Sequence, residues 1–297
     1  MDKTLLALGN IDKSRNVTRA GDEIVYGGGT YSAVTARKLG YNSAILTKGN
    51  EALDDWIKRL EGMGIEVFLE KDKSILEVVN DRTSGVWIQR ILSTTGKLNL
   101  DIDRKFDIIH VNPLFKEVDQ QVIRETRKKC RLLSLDIQGI LRNEKNGVMY
   151  LEKLVDRDAW LRGVDHVHLS DAEADFVSNE RNPEDICKDL KSLGPKIVLY
   201  TMGAAGSYVL GKEFHKIPAF KVKEVDPTGA GDVYSVTFDI VYSETGDEVK
   251  AGYFSSAAAS FCVEDFGYKN IRPRQQVEAR FKQLMRKEIA SRICRTV

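Results

Sequence analysis

The stretch Val225-Asp226-Pro227-Thr228-Gly229-Ala230-Gly231-Asp232 runs directly into Val233-Tyr234-Ser235-Val236-Thr237-Phe238, a mainly apolar segment with helical spacing. Two glycines strip side chains from a turn where backbone N–H groups converge, and a helix opening there aims its positive end at the same point. The result is an anion hole suited to a phosphoryl group, with Gly229, Ala230 and Gly231 presenting their amides. Phosphoryl transfer needs in-line positioning, charge neutralisation and a base that orients the attacking hydroxyl. Asp232, in the first helical turn, is placed to be that base. A lone Gly-Ala-Gly-Asp is more often a plain connection with Asp as a helix cap, so the stretch is weighed against its surroundings.

Upstream, short apolar runs at Thr4–Gly9, Ser43–Thr47, Asp107–Asn112, Arg131–Asp136 and Lys196–Thr201 read as buried strands. Helical patterns alternate with them at Thr30–Leu39, Glu51–Glu61, Lys116–Lys129, Ala172–Phe176 and Pro183–Leu193, and continue at Ala230–Tyr242, Glu248–Val263 and Gln275–Ile289. Strands alternating with helices predict a three-layer α/β/α sandwich around a mostly parallel sheet. Ile65–Glu70, Ile75–Asn80 and Gly85–Leu92 break the rhythm as three successive strand-like runs, which predicts a small inserted β-sheet whose apolar face covers a cleft. Residues 1–297 are therefore expected to form one domain, with a lid built from about 11–26 and 65–92 that closes over substrate.

Bulk composition narrows the partners. Lys plus Arg (45) almost cancels Asp plus Glu (44), so no overall field draws the chain to nucleic acid or an anionic membrane. Cys130, Cys187, Cys262 and Cys294 are scattered, without zinc spacing or a disulfide framework. The first apolar run is too short for a signal peptide and no stretch reaches the length of a membrane span. A cytoplasmic protein with a small-molecule substrate is expected. A dinucleotide-dependent oxidoreductase is disfavoured, because the first strand ends in Gly9-Asn10-Ile11-Asp12 without the Gly-x-Gly-x-x-Gly turn. The four histidines read as structural.

In this context the Asp226-Pro227-Thr228-Gly229-Ala230-Gly231-Asp232 stretch resembles the second signature of the ribokinase-like (PfkB) carbohydrate kinases, and Gly27-Gly28-Gly29-Thr30-Tyr31-Ser32 resembles the first. Thr201-Met202-Gly203-Ala204-Ala205-Gly206 is similar to the family's Thr-x-Gly-x-x-Gly turn, and Ser170-Asp171-Ala172-Glu173 to its Asn-x-x-Glu. The resemblance implies an ATP- and Mg²⁺-dependent kinase of a small sugar or polyol. It implies that Thr201, Gly203, Gly206 and Thr228 meet the nucleotide, that Glu173 helps hold Mg²⁺, and that Gly27 and Gly28 let the acceptor approach the backbone.

Three positions depart from the family pattern. Ser14 stands where many members carry an acceptor-binding Asp, with Asp12 two residues earlier; Ser32 and Ser170 stand where Asn is expected. The run Ser134-Leu135-Asp136-Ile137-Gln138-Gly139, preceded by Val111-Asn112-Pro113, resembles a branch that includes inositol kinases. Asn112, Asp136 and Gln138 fall at carboxyl ends of strands, where open α/β sheets bind ligands, and with Asp12 are the expected acceptor-binding residues. Two alternatives stay open: a nucleoside kinase, in which Tyr26, Tyr31 or Trp87 would stack the base, and a catalytically silent ligand-binding regulatory protein. A homodimer through the lid is a further expectation.

Overall fold

The computed structural model describes residues 3–19 and 21–295, with side chains as far as Arg286. Its main sheet has nine strands: β1 (Thr4–Leu8), β4 (Asn42–Gly49), β5 (Glu66–Lys71), β8 (Phe106–Val111), β9 (Cys130–Asp136), β12 (His166–Ser170), β13 (Ile197–Thr201), β14 (Ser207–Leu210) and β15 (Phe214–Ile217). Their order is β15-β14-β13-β12-β9-β8-β1-β4-β5, and all but the β14–β15 edge run parallel. The central strands are apolar on both faces because helices cover both.

One helical layer consists of α1 (Gly29–Lys38), α2 (Asp54–Gly62), α8 (Ala230–Thr245), α9 (Glu248–Cys262) and α10 (Arg274–Arg295), packed around a core that includes Tyr31, Trp56, Phe238 and Phe254. On the other face lie α3 (Gln120–Arg127), α4 (Gln138–Leu141), α5 (Arg157–Leu161), α6 (Asp171–Val177) and α7 (Pro183–Ser192), over a second core with Leu8, Ile109, Leu135 and Leu190. The three-layer sandwich is thus present.

A second sheet holds β2 (Asp12–Thr18), β3 (Gly21–Tyr26), β6 (Leu76–Asp81), β7 (Ile88–Ser93), β10 (Arg142–Lys145) and β11 (Val148–Leu151), in the order β10-β11-β7-β6-β2-β3. Strand alternation gives it two faces. Asp12, Ser14, Val78, Asn80 and Gln89 line a cleft against the main sheet, whereas Ile24, Leu92 and Val148 are exposed.

The inserted sheet differs from the sequence reading in two places. The run at Ile65–Glu70 belongs to the main sheet, where β5 pairs in parallel with β4 after the α2 crossover. Its residues are half-buried on both faces, so it does not share the one-sided pattern of the insert. Residues 142–151, left unassigned in the sequence, supply a hairpin turned by Asn146 and Gly147, both at positive φ (54° and 76°). That Asn-Gly pair is the favoured two-residue hairpin turn. The helix expected over Lys116–Lys129 begins only at Gln120, capped by Asp119, because the Glu117 carboxylate instead accepts the amides of Asn10, Leu114 and Phe115.

Candidate active site

Parallel pairing brings the carboxyl ends of β1, β8, β9, β12 and β13 to one edge, in register Leu8↔Val111, Val111↔Leu135, His168↔Asp136 and Ser170↔Thr201. The start of α8 sits over this edge, and the second sheet closes the other side of a cleft of about 880 Å³. Asp232, Asp12, Asp136, Gln138, Glu173, Thr201, Thr228 and the predicted glycines all line it, while Asn112 is fully buried behind Asp232 and does not line the cleft.

Asp232 is 6% exposed, and its Oδ1 accepts long hydrogen bonds from Asn112 Nδ2 and Gln138 Nε2, each at 3.4 Å. The Gln138 amide is oriented by Arg142, whose Nη2 donates to Gln138 Oε1 at 2.9 Å and so turns the amide nitrogen toward Asp232. Arg142 itself is fixed on the Leu114 carbonyl at 3.1 Å. Oδ2 of Asp232 has no protein donor among the described residues. Burial, reinforced by the nearby Asp136 carboxylate, pushes the Asp232 carboxyl up to about 7, where a general base at neutral pH is most effective.

Gly229 begins α8 in the left-handed region, φ 82°, and a Cβ there would overlap the Tyr31 ring. Only glycine lets the chain turn this tightly against that ring. Ala230 N–H donates to the Pro227 carbonyl at 3.2 Å, whereas the Gly229 and Gly231 amides have no protein acceptor among the described residues. The loop before them is braced by Asp226, which accepts from Thr228 N, Thr228 Oγ1 and Asn16 Nδ2 at 3.0, 2.7 and 2.7 Å. Thr228 therefore turns its hydroxyl toward Asp226.

On the other side of the cleft, Asp12 is 5% exposed and burial raises its carboxyl to about 6. Ser14 Oγ donates to Asp12 Oδ2, and Oδ1 is buried without a protein partner. Asp12 and Ser14 thus act as a pair. Asn80 Nδ2 continues the polar lining to Asn16 Oδ1 at 2.8 Å, and Gln89 Nε2 to Asn80 Oδ1 at 2.8 Å. Gly27 and Gly28 frame this wall, since a Cβ on Gly27 would lie 2.7 Å from Asp12 Oδ1 and one on Gly28 would meet the Asn10 carbonyl. The Tyr31 hydroxyl is buried beside the cleft without a partner. Tyr31→Phe is expected to leave stability unchanged or raise it by about 1 kcal/mol in urea unfolding, because an unpaired buried hydroxyl is a cost. A clear loss of stability would show that the hydroxyl is satisfied.

Asp136, expected to bind the acceptor, lines the cleft with each oxygen also engaged within the protein: Oδ2 lies 2.6 Å from His168 Nδ1 and Oδ1 accepts Gln138 N at 3.0 Å. His168 Nε2 lies 3.0 Å from Thr201 Oγ1, so one imidazole bridges Asp136 and Thr201. Burial pulls the His168 imidazole down, but the Asp136 carboxylate outweighs it and holds the group above its ordinary value. His168 is one of the four histidines that read as structural in the sequence, and its link to Thr201 emerges only from the fold. The period-2 placement of His168 two residues before Ser170 was the available signal.

Glu173 is 8% exposed at the start of α6, where Oε2 accepts Ser170 N at 2.7 Å in a capping box. Burial, then Asp136, raises its carboxyl. Its other oxygen has no protein partner among the described residues, and no group of three or more His, Cys, Asp or Glu among them could hold a metal alone. One free carboxylate oxygen on a residue lining the cleft fits Mg²⁺, which keeps most of its waters and takes further oxygens from phosphate. Gly203 and Gly206, at φ 51° and 99°, shape the turn after β13.

A buried carboxylate at the amino end of a helix, unspent amides beside it and a cleft closed by a second sheet define a phosphotransferase that uses a hydroxyl acceptor. Residues 14–274 match the pfkB family of carbohydrate kinases, and the chain belongs to that family. It is 27% identical over 275 residues to the ribokinase of Bacillus subtilis, covering 85% of this chain and 86% of the relative. Over 78 residues it is 44% identical to a nucleoside kinase of Methanothermobacter thermautotrophicus, a match spanning only 26% of this chain and 25% of that kinase. Among solved structures, a pyrophosphate-dependent kinase of the ribokinase family in complex with sulfate superposes with a TM-score of 0.85 at 24% identity, covering 93% of this chain and 99% of that one. The ribokinase of Arabidopsis thaliana complexed with ribose and ATP gives 0.77 at 19%, covering 95% and 99%. At these identities the solved structures attest the fold. No helix among the described residues is long and apolar enough to cross a membrane.

Proposed function

We propose that the chain transfers the γ-phosphoryl group of ATP to a hydroxyl of a small sugar or polyol, with Asp232 as general base. The observation that carries this reading is the asymmetry of Asp232: two amides hold Oδ1 while Oδ2 is left to the acceptor. The acceptor O–H gives its proton to Oδ2, its oxygen forms the new bond to phosphorus, and the bond to the ADP oxygen breaks. The Gly229 and Gly231 amides, with Ala230 once its weak bond to Pro227 yields, face the charge on the transferred group. Mg²⁺ held with the help of Glu173 would neutralise phosphate charge. Thr201, Gly203, Gly206 and Thr228 form the nucleotide side; Asp12, Asn112, Gln138, Gly27 and Gly28 the acceptor side, with Asp136 supporting through His168. The second sheet acts as the lid that excludes water.

A polyhydroxylated acceptor suits a wall of carboxylate, hydroxyl and amide groups. The nucleoside alternative has less support. Tyr26 is stacked on Trp56 at 4.6 Å, the Tyr31 ring is packed on Gly229, and the Arg82 guanidinium lies 4.4 Å from the Trp87 ring centre. The likeness in shape to a pyrophosphate-dependent kinase complexed with a pyrophosphate analogue and myo-inositol makes pyrophosphate a donor to test beside ATP. Product formation from each donor with Mg²⁺ across myo-inositol, ribose, fructose, fructose 6-phosphate, adenosine, cytidine and 2-keto-3-deoxygluconate tests the reading. Turnover of a polyol or sugar that disappears in Asp232→Asn supports it; turnover of nucleosides alone, or of none, would overturn it.

The exposed Ile24, Leu92 and Val148 on the outer face of the second sheet support pairing of two copies through it. Light scattering is expected to give twice the 33.4 kDa chain mass, and a monomeric mass would remove the idea.

A further inference from the structure

Behind Asp232, a polar seam runs through what would otherwise be apolar core. Asp239 lies two turns further along α8 on the same face, with Ser235 between them, and is fully buried. Asp239 Oδ2 is 3.0 Å from His110 Nδ1 and Oδ1 is 2.7 Å from His166 Nδ1. His110 is on β8 two residues before Asn112, and His166 is on β12 two residues before His168, so each strand turns both residues toward the same face. The helix is thereby attached twice along this segment, through Asp239 to His110 on β8 and through Asp232 to Asn112 just beyond its end. Ser235 Oγ, 3.4 Å from His110 Nε2 and 2.9 Å from the Gly231 carbonyl, joins the two attachments.

We propose that the His110–Asp239–His166 unit is a positioning device that fixes the register of α8, and with it Asp232, over the ends of β8 and β12. The inference rests on Asp232 being the base. A carboxylate only accepts, so both imidazoles donate from Nδ1 and the helix cannot slide or rotate without breaking two charge-assisted bonds. Such a unit adds little stability, since well-packed apolar residues in the same space are commonly as stable or more so. What it adds is a single placement of the catalytic turn.

That difference supplies the test. The triple variant His110→Leu/Asp239→Leu/His166→Leu removes every member of the unit together. Its urea unfolding midpoint is expected to equal or exceed that of the wild type, while kcat with ATP, Mg²⁺ and myo-inositol, or whichever panel acceptor turns over, falls about tenfold or more. KM for both substrates should stay within about twofold. A stable triple variant with wild-type kcat would overturn the positioning role while Asp232→Asn, inactive in the same assay, upheld the base. Should Asp232→Asn itself turn over normally, both readings fall. If the triple variant does not fold, histidine ¹⁵N NMR of the wild type decides: a proton on Nδ1 of both His110 and His166 supports the unit, and its lack on either refutes it.

Discussion

Asp232→Asn is expected to lower kcat by about a hundredfold or more while leaving affinity for ATP little changed. Asparagine keeps the shape and can still meet Asn112 or Gln138, but it cannot take a proton. The same substitution should remove the acid limb of the pH profile. In the wild type, kcat/KM should fall as the pH drops through about 7, where burial places the Asp232 carboxyl. Near-normal turnover, or an acid limb unchanged in the variant, would show that another group carries the proton. Stability should move in the opposite direction. A carboxyl raised from 3.8 to about 7 by folding stabilises the protein fully below the unfolded value, and that contribution is lost as the pH rises through the folded value. Unfolding free energies of the variant should therefore show a shallower decline across that window than those of the wild type.

Gly229→Ala carries the second large effect. The residue sits at φ 82°, and its new methyl would fall within the Tyr31 ring. Backbone strain and overpacking together should cost about 2–4 kcal/mol, read by chemical denaturation. Because Tyr31 is buried in α1 and cannot retreat, the loop has to yield, moving the amides beside Asp232, so kcat should also fall by at least about tenfold. An alanine variant with wild-type stability and turnover would mean that the tight approach of α1 to the loop has no function.

What the sequence disclosed followed the range of the interactions involved. The helix opened by Gly229 and Gly231, and the buried strands ending near Asn112, Asp136 and Thr201, were legible because glycine placement and apolar runs act locally. The Asn146-Gly147 hairpin carries an equally local turn signal. The edge strand β5 was misplaced because its run resembles the inserted strands and only pairing with β4 decides its sheet. His168 and Asp239 are illegible in the sequence for a different reason. Each derives its role from partners more than thirty residues away in the chain, which composition does not mark.

The unequal oxygens of Asp232 also bear on stereochemistry. With Oδ1 held by Asn112 and Gln138, only Oδ2 is open to an incoming hydroxyl, and Arg142 keeps Gln138 from reversing the arrangement. A ring bearing several chemically similar hydroxyls would then be phosphorylated at one of them, from one direction. With Asp232 as the proposed base, a symmetric polyol would leave as a single chiral monophosphate, its handedness set by how the asymmetric walls of the cleft orient the ring against Oδ2.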